Sequence, residues 1–309
     1  MSGNEFEFID WVKSQAVINS ATVETGIGDD AAVLNLAEGK PVLIAKDVLM
    51  EGTHFTFPPA TPQLAGRKAL AVNLSDIAAM GGMPRQALVG LCLPRSRGVQ
   101  FAREVHQGIQ DLADEFGVSV IGGDTNTWDG PLVVSVTVLG DVPAGRPILR
   151  RGAMPGDWIC ISGALGGSYD SQRHLTFTPR VRLAEQLREL VPLHAMIDVS
   201  DGLGSDLRHI LNQSGVGAVL DATAIPIHPD VPQNEPFESR LEHALSDGED
   251  FELLFTIPGS ARAVLTSAKL DVPVHCIGEV TADSGLRIKS PNGQVQLLES
   301  CGYQHRFAT

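Results

Sequence analysis

The stretch Thr-Pro-Gln-Leu-Ala-Gly-Arg-Lys-Ala-Leu-Ala-Val-Asn-Leu-Ser-Asp-Ile-Ala-Ala-Met-Gly-Gly, from Thr61 to Gly82, decides how this chain folds. Thr61 followed by proline predicts a helix start, and the paired glycines at the end predict its stop. Small residues fill the interior, so another backbone can approach closely and the helix is expected to pack deep in the protein. Asp76 lies between Leu74 and Ile77 on this helix, which favours a functional carboxylate over a solvated one.

Outside this helix, strand-like and helix-like patterns alternate along the 309 residues. The alternation favours an α/β (α+β) architecture over a sandwich or a bundle, and the length suggests two domains. The segment from Pro143 to Pro155 combines proline, glycine and arginine without periodicity. We therefore predict an N-terminal domain over 1–145 and a C-terminal domain over 146–309.

Several local elements are predicted around the polar motifs. Strands are expected over 41–45, 87–93, 118–121 and 132–139, and a short amphipathic helix is expected to begin at Asn4. Gly-Gly-Asp-Thr at 122–125 then follows a strand as a glycine turn that lets a backbone approach a phosphate. The glycine-rich run from Gly163 to Ser168 also follows a strand, and its glycines either cradle a phosphate or simply turn the chain.

Composition and charge exclude several classes of protein. The formal net charge of −14 has the wrong sign for a protein that neutralises nucleic acid phosphates, so no nucleic acid partner is predicted. The longest uncharged stretch is broken by prolines and is too short to span a membrane. The first residues lack the features of a signal peptide, so a cytoplasmic protein is predicted. Cys92, Cys160 and Cys276 lie at or near apolar runs and are predicted to be reduced thiols.

Acidic residues recur at the ends of apolar runs and beside glycine. The segments are Gly28-Asp29-Asp30, Lys46-Asp47, Ser75-Asp76, Gly123-Asp124, Asp198-Val-Ser-Asp201 and Asp247-Gly-Glu-Asp250. A carboxylate at the end of a buried strand is costly unless it is paired or metal-bound, and only 23 Lys and Arg residues are available. Oxygen ligands without Cys or clustered His select Mg²⁺, Mn²⁺ or Ca²⁺ over zinc. The pattern therefore predicts a divalent metal site.

Familiar nucleotide signatures are absent or unsuitable. Gly-Ile-Gly-Asp-Asp-Ala at 26–31 has the spacing of a dinucleotide turn, but its two carboxylates would repel a pyrophosphate unless metal intervened. The sequence contains neither a Gly-x-x-x-x-Gly-Lys-Ser/Thr motif nor a His-Arg-Asp catalytic loop. If ATP binds, it is expected to bind through metals.

Six motifs occur in order along nearly the whole chain. They are Gly-Ile-Gly-Asp-Asp-Ala-Ala-Val (26–33), Asp-Val-Leu-Met-Glu-Gly-Thr-His-Phe (47–55), Asn-Leu-Ser-Asp-Ile-Ala-Ala-Met-Gly-Gly-Met-Pro (73–84), Gly-Gly-Asp-Thr (122–125), Ile-Asp-Val-Ser-Asp-Gly-Leu (197–203) and Gly-Glu-Asp-Phe-Glu-Leu (248–253). Together they resemble the thiamine-monophosphate kinase family of the aminoimidazole-ribonucleotide synthetase-like superfamily. The order is specific for the superfamily, and the second and last motifs favour this family within it.

The resemblance implies a two-domain fold whose N-terminal domain dimerises through its sheet, with active sites shared between the subunits of a homodimer. It implies ATP-dependent phosphorylation of thiamine monophosphate to thiamine diphosphate with release of ADP, and several Mg²⁺ ions as cofactors. The implied Mg²⁺ ligands are Asp30, Asp47, Asp76, Asp124, Asp198 and Asp201, the implied ATP contacts are Gly123, Arg150 and Ser200, and the implied substrate contacts are His54, Glu249 and Tyr303.

The chemistry of the acceptor agrees with this assignment. A phosphate monoester has a second pKa of about 6 and is already an anion at neutral pH, so no side-chain base is required. His54 is therefore expected to contact a ligand rather than to act as a general base. The reaction needs charge neutralisation between two polyanions and in-line alignment, which clustered Asp residues with Mg²⁺ supply.

Lys46 departs from the family pattern, in which a small hydroxyl residue usually stands at that position, and His106 stands where Tyr is common. The preceding strand is expected to deliver Lys46 and Asp47 together to a strand end. We predict that the Lys46 ammonium contacts ATP as a fixed cation and substitutes for part of a metal's charge. The alternative is a surface ion pair.

Three rival functions stay open from the sequence. One is another ATP-dependent enzyme of the same superfamily. A selenophosphate synthetase would need a reactive Cys or selenocysteine near the N-terminus, whereas the first Cys of this chain is Cys92. A hydrogenase-maturation member would end in a reactive Cys, whereas eight residues follow Cys301. The second is a non-catalytic nucleotide-binding relative. The third is a metal-dependent phosphohydrolase, which would release inorganic phosphate.

Overall fold

A computed structural model describes residues 22–35, 41–143, 145–299 and 302–303. The helix expected from Asn4 lies outside the described residues. Within these ranges the chain forms two sheets with accompanying helices, which confirms the predicted α/β (α+β) class. None of the helices in these ranges combines the length and the apolar character that a membrane span requires.

The first sheet has six strands and two unlike faces. Its strands are β1 (Val23–Thr25), β2 (Ala32–Asn35), β3 (Pro41–Met50), β4 (Met83–Pro94), β5 (Ser119–Trp128) and β6 (Val133–Asp141). They lie in the order β1-β2-β3-β6-β4-β5, with β4 and β5 parallel and the other neighbours antiparallel. Because successive side chains of a strand point to opposite faces, Val134 and Val136 are buried, whereas Val48 and Leu88 are exposed on the opposite side, here called the open face.

Two helices, α1 (Pro62–Ala79) and α2 (Gly98–Phe116), pack closely against each other beside this sheet. The two helices approach most closely at glycine, which has no side chain. A Cβ atom added to Gly66 would lie 1.9 Å from the carbonyl oxygen of Val105, so a larger residue there would force the helices apart.

The predicted start of α1 is confirmed by its cap. The Thr61 hydroxyl accepts a hydrogen bond of 3.2 Å from the backbone N–H of Leu64, which satisfies one of the unpaired donors at the helix start. The helix ends before Gly81 and Gly82, as expected.

The second sheet has seven strands and supplies the other half of the molecule. They are β7 (Trp158–Ser162), β8 (Ala195–Asp198), β9 (Gly217–Asp221), β10 (Leu253–Ile257), β11 (Val274–Thr281), β12 (Gly285–Lys289) and β13 (Val295–Leu297), in the order β13-β12-β9-β11-β7-β10-β8. Neighbours are antiparallel except β9 and β12. The helices of this half are α3 (Val181–Leu190), α4 (Leu203–Ser214), α5 (Phe237–Ser246) and α6 (Arg262–Ser267).

Helix α1 forms the junction between the two halves. It contacts α3 and β8 of the second half as well as β3 and β6 of the first. Leu74 and Ile77 are completely buried, and the core around them continues into Phe251 and Phe255. The prediction that α1 packs deep is therefore confirmed, and a site on this helix lies between the two sheets.

Two predicted strand ends are wrong, and both corrections move site residues. Strand β3 continues to Met50, so Lys46 and Asp47 lie within it and point to opposite faces instead of reaching a strand end together. Strand β5 continues to Trp128, so Gly-Gly-Asp-Thr belongs to a strand rather than to a turn. Polar residues interrupt the apolar pattern at both places, but backbone pairing does not need that pattern to continue.

The segment between Asp141 and Trp158 contains neither a helix nor a strand among its described residues. It separates the two sheets in the chain. The domain boundary near residue 145 stays a prediction.

Candidate active site

Helix α1 ties both halves of the chain to one point through its polar side chains. The Asn73 side-chain oxygen accepts a hydrogen bond of 3.2 Å from the backbone N–H of Asp47 on β3. The Ser75 hydroxyl donates to the carboxylate of Asp198 at the end of β8. Asp76 is the next residue of the helix, and its carboxyl lies close to that of Asp198.

Four aspartates meet at this junction and are called the acidic cluster: Asp30, Asp47, Asp76 and Asp198. Carboxylate oxygens of Asp30, Asp76 and Asp198 lie within 4.8 Å of one another. The Asp47 carboxyl is hydrogen-bonded to that of Asp76. The cluster thus combines three residues of the first half with one of the second.

Burial makes these carboxyls hard to ionise together. It raises the pKa of Asp198 to about 8, with Asp30 adding repulsion and the Ser75 hydrogen bond opposing the shift. Burial, followed by repulsion from Asp47, holds the pKa of Asp76 well above its usual range. Burial also raises the pKa of Asp47 to about 6, although the hydrogen bond with Asp76 lowers it. Protons or a cation must therefore neutralise the cluster.

A divalent metal ion fits this donor set. All four residues offer carboxylate oxygens, the ligands that Mg²⁺ prefers, and neither Cys nor His contributes. Three of these oxygens already lie close enough together to share one ion. The raised pKa values mark the same carboxyls as short of compensating charge within the protein.

Arg150 supplies positive charge beside the acidic cluster. Its Nη2 and Nε donate to Asp30 at 2.8 and 3.1 Å, and its backbone N–H donates to Asp29 at 3.2 Å. Burial lowers the pKa of Arg150, but the negative charges of Asp30 and Asp29 raise it by a larger amount. The net shift is therefore upward, and the guanidinium stays charged. One guanidinium facing four carboxyls leaves an excess of acidic groups.

A cavity of 420 Å³ shares Asp47 with the acidic cluster and collects many of the predicted residues. Its walls include Asp47, His54, Ser200, Asp201, Glu249 and Tyr303. Tyr303 joins them because its backbone N–H donates to the carbonyl of Asp201 at 3.0 Å. The structure therefore brings together all three predicted substrate contacts, one predicted ATP contact and two predicted metal ligands.

His54 is fixed at the cavity wall by the turn that follows β3. The backbone N–H of Met50 donates to Nδ1 of His54 at 2.9 Å, and the His54 backbone N–H donates to the Met50 carbonyl at 3.0 Å. Two bonds to one residue set both the backbone and the ring orientation.

Lys68 lines the same cavity, although it is not among the site residues predicted from the sequence. Its ammonium lies 2.5 Å from Oε2 of Glu249 and donates to the His54 carbonyl at 2.8 Å, although the side chain is only 1% exposed. Burial lowers the pKa of Lys68 and raises that of Glu249, while each charge opposes the other's shift. A lysine within a helix of small residues that packs deep was the available signal, because such a lysine must find a buried partner.

A strained segment holds Glu249 in place. Glu249 and Phe251 have φ values of +58° and +52°, a region that non-glycine residues rarely adopt and that is enriched at functional sites. Their backbone N–H groups donate to the carbonyls of Ser200 and Val199 at 2.7 and 2.8 Å. The fifth and sixth motifs of the sequence are thus joined to each other beside the cavity.

Acidic residues near this segment each have an arginine of their own, whereas the four carboxyls of the acidic cluster face the single guanidinium of Arg150, which pairs with Asp30. Arg173 Nη2 lies 3.0 Å from Asp250, and Arg180 Nε donates to Glu252 at 2.8 Å. We call Asp250 and Glu252 the paired carboxylates. Asp250 also accepts a 3.0 Å hydrogen bond from the backbone N–H of Gly166. The 163–168 run therefore turns the chain, and this N–H binds a carboxylate of the protein rather than a phosphate.

Three predicted site residues lie away from the acidic cluster. The described carboxylates whose oxygens lie within 4.8 Å of one another do not include Asp124. Asp124 is exposed on β5, next to Gly123, and accepts a hydrogen bond of 2.9 Å from Asn126. Lys46 is exposed on the open face, where its ammonium donates to the Ser135 hydroxyl at 2.6 Å. Paired positions run from Ser135 through Gly90 to Asp124, so these polar groups share one face of the first sheet.

Comparison with known proteins agrees with this architecture. Residues 28–142 match the family "AIR synthase related protein, N-terminal domain", and residues 164–290 match "AIR synthase related protein, C-terminal domain". The two halves of this fold are therefore the N-terminal and C-terminal domains of an AIR synthase related protein.

Curated relatives show which AIR synthase related family this chain resembles. The thiamine-monophosphate kinase of Rhodopirellula baltica is 41% identical over 92% of each chain, and that of Salmonella typhimurium is 38% identical over 100% of each. A solved structure of AaThiL complexed with AMPPCP and TMP superimposes with a TM-score of 0.83 at 28% identity and covers 98% of this chain and 97% of that one. The chain belongs to the thiamine-monophosphate kinase family.

Proposed function

We propose that this protein is a thiamine-phosphate kinase that transfers the γ-phosphoryl group of ATP to thiamine monophosphate and releases thiamine diphosphate and ADP. The observation that carries this conclusion is that His54, Glu249 and Tyr303 line one cavity whose wall also includes a member of the acidic cluster. Relatives named thiamine-monophosphate kinase, and a solved structure of AaThiL complexed with AMPPCP and TMP, support these substrates.

At the substrate end, the cavity offers groups of both charges to a ligand of both charges. Thiamine monophosphate carries a cationic thiazolium ring and an anionic phosphate. His54 and Lys68 can serve the phosphate, and Glu249 and Tyr303 can serve the ring system. The contact of Lys68 with Glu249 holds the carboxylate in one orientation before the substrate arrives.

At the ATP end, Asp30, Asp47, Asp76, Asp124, Asp198 and Asp201 are the proposed Mg²⁺ ligands. Mg²⁺ bound there would neutralise phosphate oxygens and polarise the transferred phosphoryl group. Arg150, Ser200, Gly123 and Lys46 are the proposed ATP contacts. Arg150 suits this role because its guanidinium is held beside the cluster by Asp30 and stays charged.

The residues of this chain align the two substrates and exclude water, and they do not exchange protons with them. A phosphate oxygen of thiamine monophosphate forms the new bond to the γ-phosphorus of ATP, and the bond from that phosphorus to the β–γ bridging oxygen breaks, so its electron pair leaves with ADP. The attacking oxygen is already anionic. The cavity therefore needs to hold two anions in line and to exclude water, which would otherwise accept the phosphoryl group.

The direct test uses the purified full chain with ATP, Mg²⁺ and thiamine monophosphate. We expect thiamine diphosphate by mass and one ADP for each product formed. Thiamine replaces thiamine monophosphate in the control, and it should yield no product because it lacks the acceptor phosphate. Formation of ADP and inorganic phosphate without thiamine diphosphate would favour the phosphohydrolase function instead.

The open face supports a further proposal, a homodimer with shared sites. Several large apolar side chains of the first sheet are exposed, namely Val48, Met50, Leu88, Ile121 and Trp128. Strand β5 forms an edge of this sheet in the described residues. A second copy across this face would cover the apolar surface and enclose Asp124 and Gly123.

Light scattering tests the dimer. The native chain should have twice the monomer mass at micromolar concentration, and Leu88→Arg should reduce that mass to one chain. Val264→Arg, at an exposed valine of α6, is the matched control and should leave the dimer intact. A fully active monomer would contradict shared sites. The domain limits 1–145 and 146–309 and the cytoplasmic location belong to the same proposal.

A further inference from the structure

Two cysteines face each other in the middle of the second sheet. Cys160 on β7 and Cys276 on β11 are register partners, and their sulfur atoms lie 3.3 Å apart although 116 positions separate them in the chain. Both are free thiols in the structure, as is Cys92. Neither residue lines the cavity of the candidate active site.

The backbone at this pair suits a covalent link. Directly opposed residues of antiparallel strands have Cα atoms about 4.5 to 5.5 Å apart, and disulfides occur at Cα separations of about 4.4 to 6.8 Å. Each of the two strands also pairs with a further strand on its other side, and a bulge between Cys276 and Gly278 lies directly beside the pair. A bond between the two sulfurs therefore requires the side chains to rotate and close the present 3.3 Å separation of the sulfur atoms.

The surroundings make one of the two sulfurs the more reactive. Cys160 is fully buried, whereas Cys276 is half-buried and can meet a small solute. The hydrogen bond from Cys160 and the nearby Arg262 guanidinium lower the pKa of Cys276 to about 7 against the opposing effect of burial. Arg262 is itself held over the Trp158 ring, with its guanidinium carbon 3.6 Å from the ring centre. Cys276 thus has both the access and the charge environment of an attacking thiolate.

We propose that Cys160 and Cys276 form a peroxide-oxidisable pair that closes to an intramolecular disulfide. The Cys276 thiolate attacks one oxygen of hydrogen peroxide, the O–O bond breaks, and Cys276 becomes a sulfenic acid while hydroxide leaves. The Cys160 sulfur then attacks the Cys276 sulfur and releases its proton, and the hydroxyl group leaves as water. The two thiols are oxidised by two electrons in total, and one peroxide is reduced to two waters.

The test is thiol counting on the full native chain before and after hydrogen peroxide. Alkylation under denaturing conditions should label all four cysteines of the reduced chain and two after oxidation. Peptide mapping should find Cys160 joined to Cys276, and dithiothreitol should restore all four labels. A cross-link that involves any other pair, or oxidation of Cys276 to sulfinic acid without a cross-link, would overturn the proposal.

Serine variants assign the two roles. Cys160→Ser should lose the cross-link and accumulate a sulfenic acid at Cys276 that dimedone traps. Cys276→Ser should lose both the cross-link and the dimedone adduct, because Cys160 is inaccessible. Cys92→Ser, at the exposed cysteine of β4, should keep the cross-link. Equal dimedone labelling of Cys160 and Cys276 in the single variants would contradict the order of attack.

Discussion

The acidic cluster and the paired carboxylates both lie in the interior of the fold, but they differ in how many of their carboxyls have an arginine partner. Asp250 and Glu252 each contact an arginine, Arg173 and Arg180, at hydrogen-bonding distance. Asp76 and Asp198, only a short distance away in the fold, contact a serine and other carboxyls instead. Burial therefore does not by itself mark a metal site. The mark is burial combined with a missing counter-charge, because a stable fold otherwise supplies one.

Asp76→Asn should separate the two groups most strongly. The change removes charge from the acidic cluster without changing shape, so we expect formation of thiamine diphosphate to fall at least about 100-fold, which equals about 2.7 kcal/mol of barrier. Asp198→Asn should behave alike. The unfolding free energy of the metal-free protein should not fall, since one repulsive neighbour is lost. Activity within tenfold of wild type would return these residues to a structural role.

The matched substitution among the paired carboxylates is Glu252→Gln. It leaves Arg180 without its charged partner, so the free energy of unfolding in urea should fall by about 3 kcal/mol with or without Mg²⁺. Asp129→Asn is the control for carboxylate loss as such, because Asp129 pairs with Arg95 on the exposed surface. That variant should be unchanged in both activity and stability.

Lys68→Met tests a case between the two groups. Glu249 lies in the cavity like a functional residue but has a counter-charge like a paired carboxylate. Removing the ammonium leaves Glu249 buried alone, so we expect a loss of about 3 kcal/mol in urea unfolding and a raised KM for thiamine monophosphate. The double variant Lys68→Met with Glu249→Gln should recover most of the stability but not the KM. If both properties recover, the pair is purely structural.

The pH dependence of stability sharpens the comparison further. In the folded metal-free protein the pKa of Asp198 is raised from 3.8 to about 8. Between these values the folded state holds a proton that the unfolded chain has lost, so the unfolding free energy should fall as the pH rises through this window. Mg²⁺ needs ionised carboxylates, and its stabilising effect should grow over the same range.

Thermal unfolding midpoints across that window, in EDTA and in Mg²⁺, measure this dependence. Asp198→Asn should show a weaker fall with pH and a smaller response to Mg²⁺. The same slope in wild type and variant would mean that Asp198 does not carry the shift.

The smallest effect is expected for Lys46→Thr. Lys46 stands on the open face beside Ser135, so a contact with ATP would contribute as an exposed point charge, under about 1 kcal/mol. We expect about threefold weaker ATP use and a higher Mg²⁺ concentration for half-maximal rate. Lys289→Thr, at an exposed lysine of β12, is the matched control. Unchanged Mg²⁺ dependence in Lys46→Thr would contradict the contact with ATP and would show that Lys46 is a solvated surface residue.

Much of the fold could be predicted from local sequence signals. The helix from Pro62 to Ala79 has its cap, its first-turn proline and its terminal glycines within one stretch, so its limits and its depth were predictable. Elements without such signals were not predicted. Strand β13 is exposed along its whole length, and α5 buries only Ala244 and Leu245, so neither has a clear apolar period.

The site was predictable as a list of residues but not as an arrangement. The motif order supplied His54, Glu249 and Tyr303, and the cavity brings them together. The contact between Lys68 and Glu249 joins positions that are far apart in the chain, and no local pattern encodes such a distance. The same holds for the positive φ values at Glu249 and Phe251, which follow from backbone bonds to another motif.

The bond from the Met50 backbone to Nδ1 of His54 fixes the tautomer of that ring. A nitrogen that accepts from an amide keeps its lone pair there, so the proton of the neutral imidazole sits on Nε2. Protonating Nδ1 would set two donors against each other and break the bond. His54 can therefore offer the cavity a hydrogen-bond donor but no basic lone pair, which matches an acceptor phosphate that arrives without a proton to remove.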